Sequence, residues 1–186
     1  MASEPRIIAV SRTTHRIIGG AVLLMVVAAW PTIPADQGTS MYIADAKRLT
    51  HDGARKMMAT AIEKARKAKI AISCCIVDAG GHVVVLERMD DGRFHTLHSC
   101  TTKAVCAASN KRATTAKGAV GQDLDVTHAL GLALAAGPER WTAMEGGVPI
   151  LANGECIGGV GVSGGDWATD LKIAQAAVES IGATWK

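Results

Sequence analysis

Two apolar runs, joined by a turn of small and acidic residues, lie at the centre of the sequence. Residues 70–77 form the first run, residues 83–86 form the second, and Asp78-Ala79-Gly80-Gly81 stands between them. An acidic residue followed by glycines between β-branched runs is typical of a tight β-hairpin. The second run ends in Glu87-Arg88-Met89-Asp90-Asp91-Gly92, which is densely charged. The sequence therefore predicts a hairpin with a charged rim, around which the other elements have to pack.

Periodicities outside this hairpin predict an α+β domain with a mainly antiparallel sheet of about five strands. Thr50 is the expected N-cap of a first helix, and Asn153-Gly154 is expected to turn a second hairpin. Residues 110–140 contain several glycines, and only short helices near 115–119 and 124–134 are predicted there. The other predicted elements are helices at residues 50–68, 93–109 and 167–181, and strands at residues 70–78, 82–89, 141–145, 148–152 and 155–163.

The first 40 residues are expected to lie outside this fold. Arginines there precede an uncharged run at residues 17–30, which is too short for a stable membrane span. The run contains the small residues Ala28-Ala29 near its end, and a polar stretch with prolines follows it. This order is typical of a signal peptide and predicts an exported, periplasmic or extracellular protein. Alternatively, Met41 is the true start, residues 1–40 are an extension, and the protein is cytoplasmic. In either case residues 41–186 are predicted to form a single domain.

The five cysteines do not form a recognisable framework. Cys74 and Cys75 are neighbours, so they point to opposite faces of the predicted strand, and the sequence contains no Cys-x-x-Cys pair. We interpret the cysteines as buried free thiols, which occur more often in a reducing compartment and so count against export.

Charge and aromatic content argue against a role in nucleic-acid binding. The formal net charge is only +3, the basic residues are spread along the chain, and 3% of the residues are aromatic. Neither a basic patch nor an aromatic stacking platform is therefore predicted.

Candidate catalytic residues cluster where the first hairpin ends. Arg88 and Asp90 lie on its charged rim, Lys103 lies on the following helix, and Glu145 stands beside Gly146-Gly147. If these groups meet, the two cations can bind a carboxylate, the acids can transfer protons, and the glycine amides can hold an anion. The alternative is a network of ion pairs that fixes strand ends or a subunit contact.

Two histidines and a cysteine are candidate ligand-binding residues on the same helix. His95 and His98 are three residues apart, which places them side by side on a helix surface, and Cys100 follows. A His-x-x-His pair can hold a metal, although no clear third ligand is nearby. Alternatively, both histidines are polar helix residues near an interface.

Five motifs, taken in order, resemble the GlcG/HbpS family of haem-binding or haem-degrading proteins, which includes the C-terminal domain of PduO-type proteins. The motifs are Val77-Asp78-Ala79-Gly80-Gly81-His82, Arg88-Met89-Asp90, Lys103-Ala104, Gly146-Gly147-Val148-Pro149-Ile150, and residues 158–164. The resemblance covers about residues 45–184. It implies a profilin-like α/β/α fold with a five-stranded antiparallel sheet. It also implies homo-oligomers, haem binding in some members and export in others.

Three functional hypotheses follow from the residues and the resemblance together. The first is a haem-binding or haem-handling oligomer, with His95, His98 or Cys100 as candidate axial ligands. The second is an enzyme that acts on a small carboxylate or carbonyl compound by acid–base chemistry. The third is a structural oligomeric module without chemistry. The expected partners are further copies of the chain, and haem or a small anionic molecule.

Overall fold

A four-stranded antiparallel sheet separates two layers of helices in the computed structural model, which describes residues 42–186. Helix α2 packs on one face of the sheet, while α1 and α4 pack together on the other. Residues Ala44–Lys186 form one compact unit. The elements are α1 (His51–Ala68), β1 (Ser73–Asp78), β2 (Val83–Arg88), α2 (Thr96–Asn110), α3 (Val126–Ala136), β3 (Gly147–Ala152), β4 (Glu155–Ser163) and α4 (Trp167–Glu179).

The strand order in the sheet is β2-β1-β4-β3, and every neighbouring pair is antiparallel. Ile76 in the central strand β1 pairs with Val85 on one side and with Val160 on the other. The predicted α+β class with an antiparallel sheet is confirmed. The prediction of five strands is wrong for the described part of the chain, because residues 141–145 form a loop. In that loop the Met144 amide donates to the Thr142 hydroxyl at 3.1 Å instead of to a neighbouring strand.

The larger part of the core lies between the sheet and the pair α1 and α4, where Met57, Ile76 and Val160 are fully buried. The α2 face is lined by smaller side chains, including Cys75, Val77 and Ala104. Gly159 and Gly161 of β4 lie directly under α2, where a Cβ atom would overlap the helix backbone. The backbone of α2 therefore lies very close to the sheet, and its opposite side is left to face outward.

Short-range signals mark the starts of α1 and α4 well. Thr50 caps α1 by accepting the Gly53 amide at 3.1 Å, as predicted, and Asp166 caps α4 by accepting the Thr169 amide at 2.9 Å. The predicted short helix at 115–119 is wrong, since this segment is a loop closed by a bridge between Lys117 and Asp123.

Helix α3 differs from the other helices because none of its residues is buried. The predicted helix near 124–134 is found two residues later, with Asp125 as its N-cap. Within residues 42–186, α3 packs against no other helix or strand. Its sequence is almost entirely apolar, and Val126, Leu130 and Leu134 expose 83%, 57% and 71% of their surface.

No helix in the described range is both long and apolar enough to cross a membrane. The segment 1–40, predicted to be a signal peptide or an extension, lies outside the described residues, and that prediction stays open.

Candidate functional site

The outward side of α2 forms the floor of an open groove, here called the α2 groove. It consists of two cavities of about 760 and 500 Å³ that share Thr101 and Glu139 as lining residues. The turn between β1 and β2 lines the larger cavity, and the segment that follows α3 lines both. The larger cavity is lined by residues 79–82, Thr101, Val105, Ser109, Asn110, Ala136 and residues 139–141, and the smaller by Leu86, Leu97, His98, Thr101, Thr102, Pro138 and Glu139.

The floor of the α2 groove is a stripe of α2 residues at helical spacing. Leu97, Thr101 and Val105 follow one another at intervals of four, so they lie on one side of the helix. The Thr101 hydroxyl donates to the Leu97 carbonyl at 2.8 Å, so this hydroxyl proton has its hydrogen-bond acceptor within the helix. Leu86 of β2 adds a further apolar side chain beside Leu97. The floor is therefore mainly apolar, and the polar groups lie around it.

His82 and Asp78 form a hydrogen-bonded pair at the hairpin end of the groove. Both carboxylate oxygens of Asp78 lie 3.2 Å from Nδ1 of His82. Asp78 Oδ1 also accepts the amides of Gly80 and His82, each at 2.9 Å. These hydrogen bonds, above all that from the His82 amide, lower the pKa of the Asp78 carboxyl. Because an ionised carboxylate carries no proton, Nδ1 of His82 has to be the donor, and Nε2 is left unprotonated in the neutral ring.

The sequence predicts Asp78 as a turn residue and His82 as the first residue of the next strand, and it assigns no ligand to either. The signal that could have found them was an acid followed four residues later by a histidine across a two-glycine turn. That spacing allows the ring to fold back onto the carboxylate.

Lys103, one of the predicted catalytic residues, lies inside the protein. Its Nζ donates to the Val162 carbonyl at 2.8 Å and to Asp170 Oδ2 at 3.1 Å. The lysine and aspartate side chains expose only 5% and 4% of their surface. Asp170 Oδ1 in turn accepts the Gly165 amide at 2.9 Å. Sequence reasoning missed Asp170, because only the folded chain brings its carboxylate to Lys103, 67 residues away in the sequence.

The predicted anion site at Gly146-Gly147 lies next to this ion pair. A Cβ atom on Gly146, whose φ is +105°, would meet Lys103 Nζ at 3.0 Å. The Gly147 amide already donates to the Thr114 hydroxyl at 2.9 Å. Glu145 is half-buried in the loop just before the two glycines. The structure thus brings Lys103 together with the glycine pair, around an interior ion pair.

Arg88 and Asp90, the other two predicted catalytic residues, lie at and just after the end of β2, where both are exposed. The guanidinium group of Arg88 donates to the Gly92 carbonyl, which closes the loop that leads to α2. Neither residue lines the α2 groove. The catalytic roles of these residues stay predictions.

The three predicted ligand-binding residues of α2 face different surroundings. His98 lines the smaller cavity of the groove. His95 is exposed at the N-cap of α2, with its ring edge-on to that of Phe94 at 5.8 Å. Cys100 is buried against the sheet, and burial raises the pKa of its thiol to about 12. Of the three, only His98 is in the groove.

No cluster of three or more histidine, cysteine or acidic side chains that could hold a bare metal ion occurs in residues 42–186. Haem brings four nitrogen ligands of its own and requires only one or two axial ligands from the protein. The separate histidines at the two ends of the α2 groove fit that requirement, and the apolar floor between them fits a flat macrocycle.

Comparisons with known protein families and with individual proteins point to the same family. A model of the family described as haem degrading protein HbpS-like matches residues 49–179. Protein GlcG of Escherichia coli strain K12 is 34% identical over 118 residues, which is 62% of this chain and 81% of GlcG.

Two solved structures share the fold. One is described as a complex of PduOC with haem and has a TM-score of 0.65, 27% identity, and coverage of 75% of this chain and 99% of its own. The other, HbpS, has a TM-score of 0.63 and 27% identity, and the match covers 74% of this chain and 93% of HbpS.

Proposed function

The chain belongs to the HbpS-like family, and from that premise we propose that it is a haem-binding protein that holds haem in the α2 groove. The observation that carries the proposal is the groove itself, which combines an apolar floor with a histidine at each end. The family description and the haem complex of a relative of the same fold support the choice of ligand.

The size and lining of the groove suit a porphyrin. Its two cavities lie within the range of roughly 300–1,000 Å³ that is usual for small-molecule sites. Leu97 and Val105 would pack against the macrocycle. Arg140 and Asn110 line the larger cavity, and a guanidinium or amide group there can bind a propionate carboxylate. Iron would be reached by a histidine at either end.

A titration with haemin tests this proposal. The wild-type chain is expected to shift the Soret band with a stoichiometry of one haem per chain. Leu97→Asp places a charge on the groove floor and is expected to weaken binding at least tenfold, because a buried carboxylate would be left without a partner.

Leu171→Asp is the matched control, since Leu171 is also a half-buried leucine on a helix but packs on the opposite layer. Equal affinities of the two variants, or no Soret shift with the wild-type chain, would contradict haem binding in the groove.

We also propose that the chain forms homo-oligomers through α3. A helix that is apolar on every side is normally buried, and exposed apolar patches of this kind mark interaction sites. Helix α3 carries no Lys, Arg, Asp or Glu, so its surface can pair with a second copy of itself without matching charges. Its last residue, Ala136, also lines the α2 groove, so association there would occur beside the proposed haem site.

A further inference from the structure

We propose that His82 supplies an axial nitrogen to the haem iron and that Asp78 is the positioning residue that holds its ring. This inference rests on the proposed haem-binding function and assigns the contact with iron to one end of the α2 groove. It concerns the turn between β1 and β2, and neither residue belongs to α2.

Accessibility favours His82 as the ligand. Its side chain exposes 82% of its surface and lines the larger cavity of the groove. A ligand that enters this cavity can therefore reach the ring without any rearrangement of the core. Cys100, by contrast, is fully buried against the sheet, so haem iron could reach it only if α2 moved.

The protonation state of the ring favours His82 as well. Asp78 holds the proton on Nδ1 of His82, so Nε2 keeps the lone pair that iron requires. A carboxylate that accepts the other ring N–H is the usual outer partner of a metal-binding histidine, because it fixes the tautomer and raises the basicity of the ligand. Of the two histidines that line the groove, His82 has such a carboxylate, whereas His98 has none among the described residues.

The turn that carries His82 is held by its own hydrogen bonds. The Asp78 amide donates to the His82 carbonyl at 3.0 Å, and the Gly81 amide donates to the Asp78 carbonyl at 3.0 Å. The ring of His82 lies over Gly80, where a Cβ atom would be only 2.7 Å from Cε1. The absence of a side chain at position 80 thus leaves room for the imidazole. A ligand held in place in this way loses little freedom when it binds a metal.

A similar pair elsewhere provides a matched control. Nδ1 of His128 lies 3.4 Å from Asp125 Oδ2 at the start of α3, and neither residue lines the groove. If an exposed Asp–His pair were enough to bind haem, His128 would serve as well as His82. If the groove is also needed, only His82 would bind the haem iron.

The test uses the full chain loaded with ferric haem, and its readouts are the Soret position and the EPR signal of the iron. His82→Ala is expected to change both spectra and weaken haem binding about tenfold or more. Added imidazole is expected to restore the wild-type spectra by occupying the vacated axial position. His128→Ala is expected to give wild-type spectra.

Asp78→Asn tests the positioning role. The amide oxygen can still accept the Gly80 and His82 amides and keep the turn, but the NH₂ group would then face Nδ1 and favour the tautomer that carries the proton on Nε2. The spectra are therefore expected to move towards those of His82→Ala, while the circular dichroism stays that of the wild type.

Several results would overturn the assignment while leaving haem binding itself intact. One is a wild-type chain that binds haem with spectra identical to those of His82→Ala. Another is a change caused by His98→Ala with none from His82→Ala, which would place the iron at the other end of the groove. By contrast, a wild-type chain that does not bind haem at all would contradict the proposed function itself.

Discussion

Lys103 and Asp170 form an ion pair in the protein interior, with Nζ 3.1 Å from Oδ2 and both side chains about 95% buried. The pair joins α2, which carries the groove floor, to the first turn of α4 on the other side of the sheet. Because Nζ also donates to the Val162 carbonyl, the ammonium group of this α2 residue has partners from both α4 and β4. Lys103 therefore connects the α2 layer to the sheet and to α4 on its other side.

Removing one partner of this pair is expected to destabilise the fold strongly. Asp170→Ala leaves a buried ammonium group without its counter-ion, and the expected loss is about 3–5 kcal/mol in the free energy of unfolding. Urea denaturation followed by circular dichroism measures this loss. The double variant Lys103→Met/Asp170→Leu removes both charges and is expected to recover most of the stability.

The exposed pair of Lys117 and Asp123 provides the control, since Asp123→Ala is expected to change stability little. A Lys103→Ala variant that keeps full stability but loses turnover of a carboxylate substrate would instead support the catalytic role predicted from the sequence.

Glycine at position 161 is expected to be required for the close contact between α2 and the sheet. A Cβ atom there would overlap the Cys100 carbonyl and the Ala104 amide, both of which belong to the α2 backbone. Gly161→Ala is therefore expected to lower the free energy of unfolding by about 1–3 kcal/mol and to weaken haem binding, because α2 has to move outward.

Gly131→Ala is the control for this substitution, because a Cβ atom at this position of α3 would have no neighbour within 4 Å. It is expected to leave stability unchanged or slightly increased, since alanine favours a helix. Equal stability of the two variants would show that α2 can shift without loss.

Features encoded over a few residues were predictable from the sequence. Thr50 and Asn153-Gly154 each act through neighbours close in sequence, and both have the predicted roles. The composition of residues 141–145 allows a strand, which is why the sequence predicts one. The segment is a loop instead, in which the Met144 amide donates to the Thr142 side chain rather than to a neighbouring strand. A local hydrogen bond of this kind competes with strand pairing and leaves no clear periodic signal.

The candidate site was less predictable, because it depends on contacts that are distant in sequence. The groove brings the turn of residues 79–82 together with residues 136–141, and no periodicity links these segments. Lys103 stands out in the sequence, but its surroundings depend on Asp170, which lies 67 residues further along the chain. The pair of Asp78 and His82 was local and visible, yet an acid in a turn has a structural explanation that required no ligand.

Alkaline pH is expected to destabilise the protein through its buried thiols. Burial raises the pKa of Cys75 to about 11 and that of Cys100 to about 12. Between about pH 9 and pH 11 the unfolded chain loses these protons while the folded chain keeps them, so stability falls as the pH rises. The slope is at most about 1.4 kcal/mol per pH unit for each thiol.

Urea denaturation in the presence of a reductant, at pH 8 and pH 10.5, measures this effect. The variant Cys75→Ala/Cys100→Ala is the control for other groups that titrate in this range, and it is expected to lose less stability than the wild type. The same pH dependence in both proteins would show that the two thiols do not contribute.

Self-association is expected to depend on the apolar surface of α3. Leu130 and Leu134 are one turn apart and both exposed, so the variant Leu130→Glu/Leu134→Glu places two like charges on one side of the helix. Sedimentation of the full chain is expected to show an oligomer for the wild type and at most half its mass for the variant. Trp167→Glu is the control, because Trp167 is 72% exposed at the start of α4, and its substitution is expected to leave the mass unchanged.

Since α3 leads into the lining of the groove through Ala136, the dissociated variant is also expected to bind haem less tightly. A wild-type monomer, or a variant with the wild-type mass, would show that α3 is not the contact between copies.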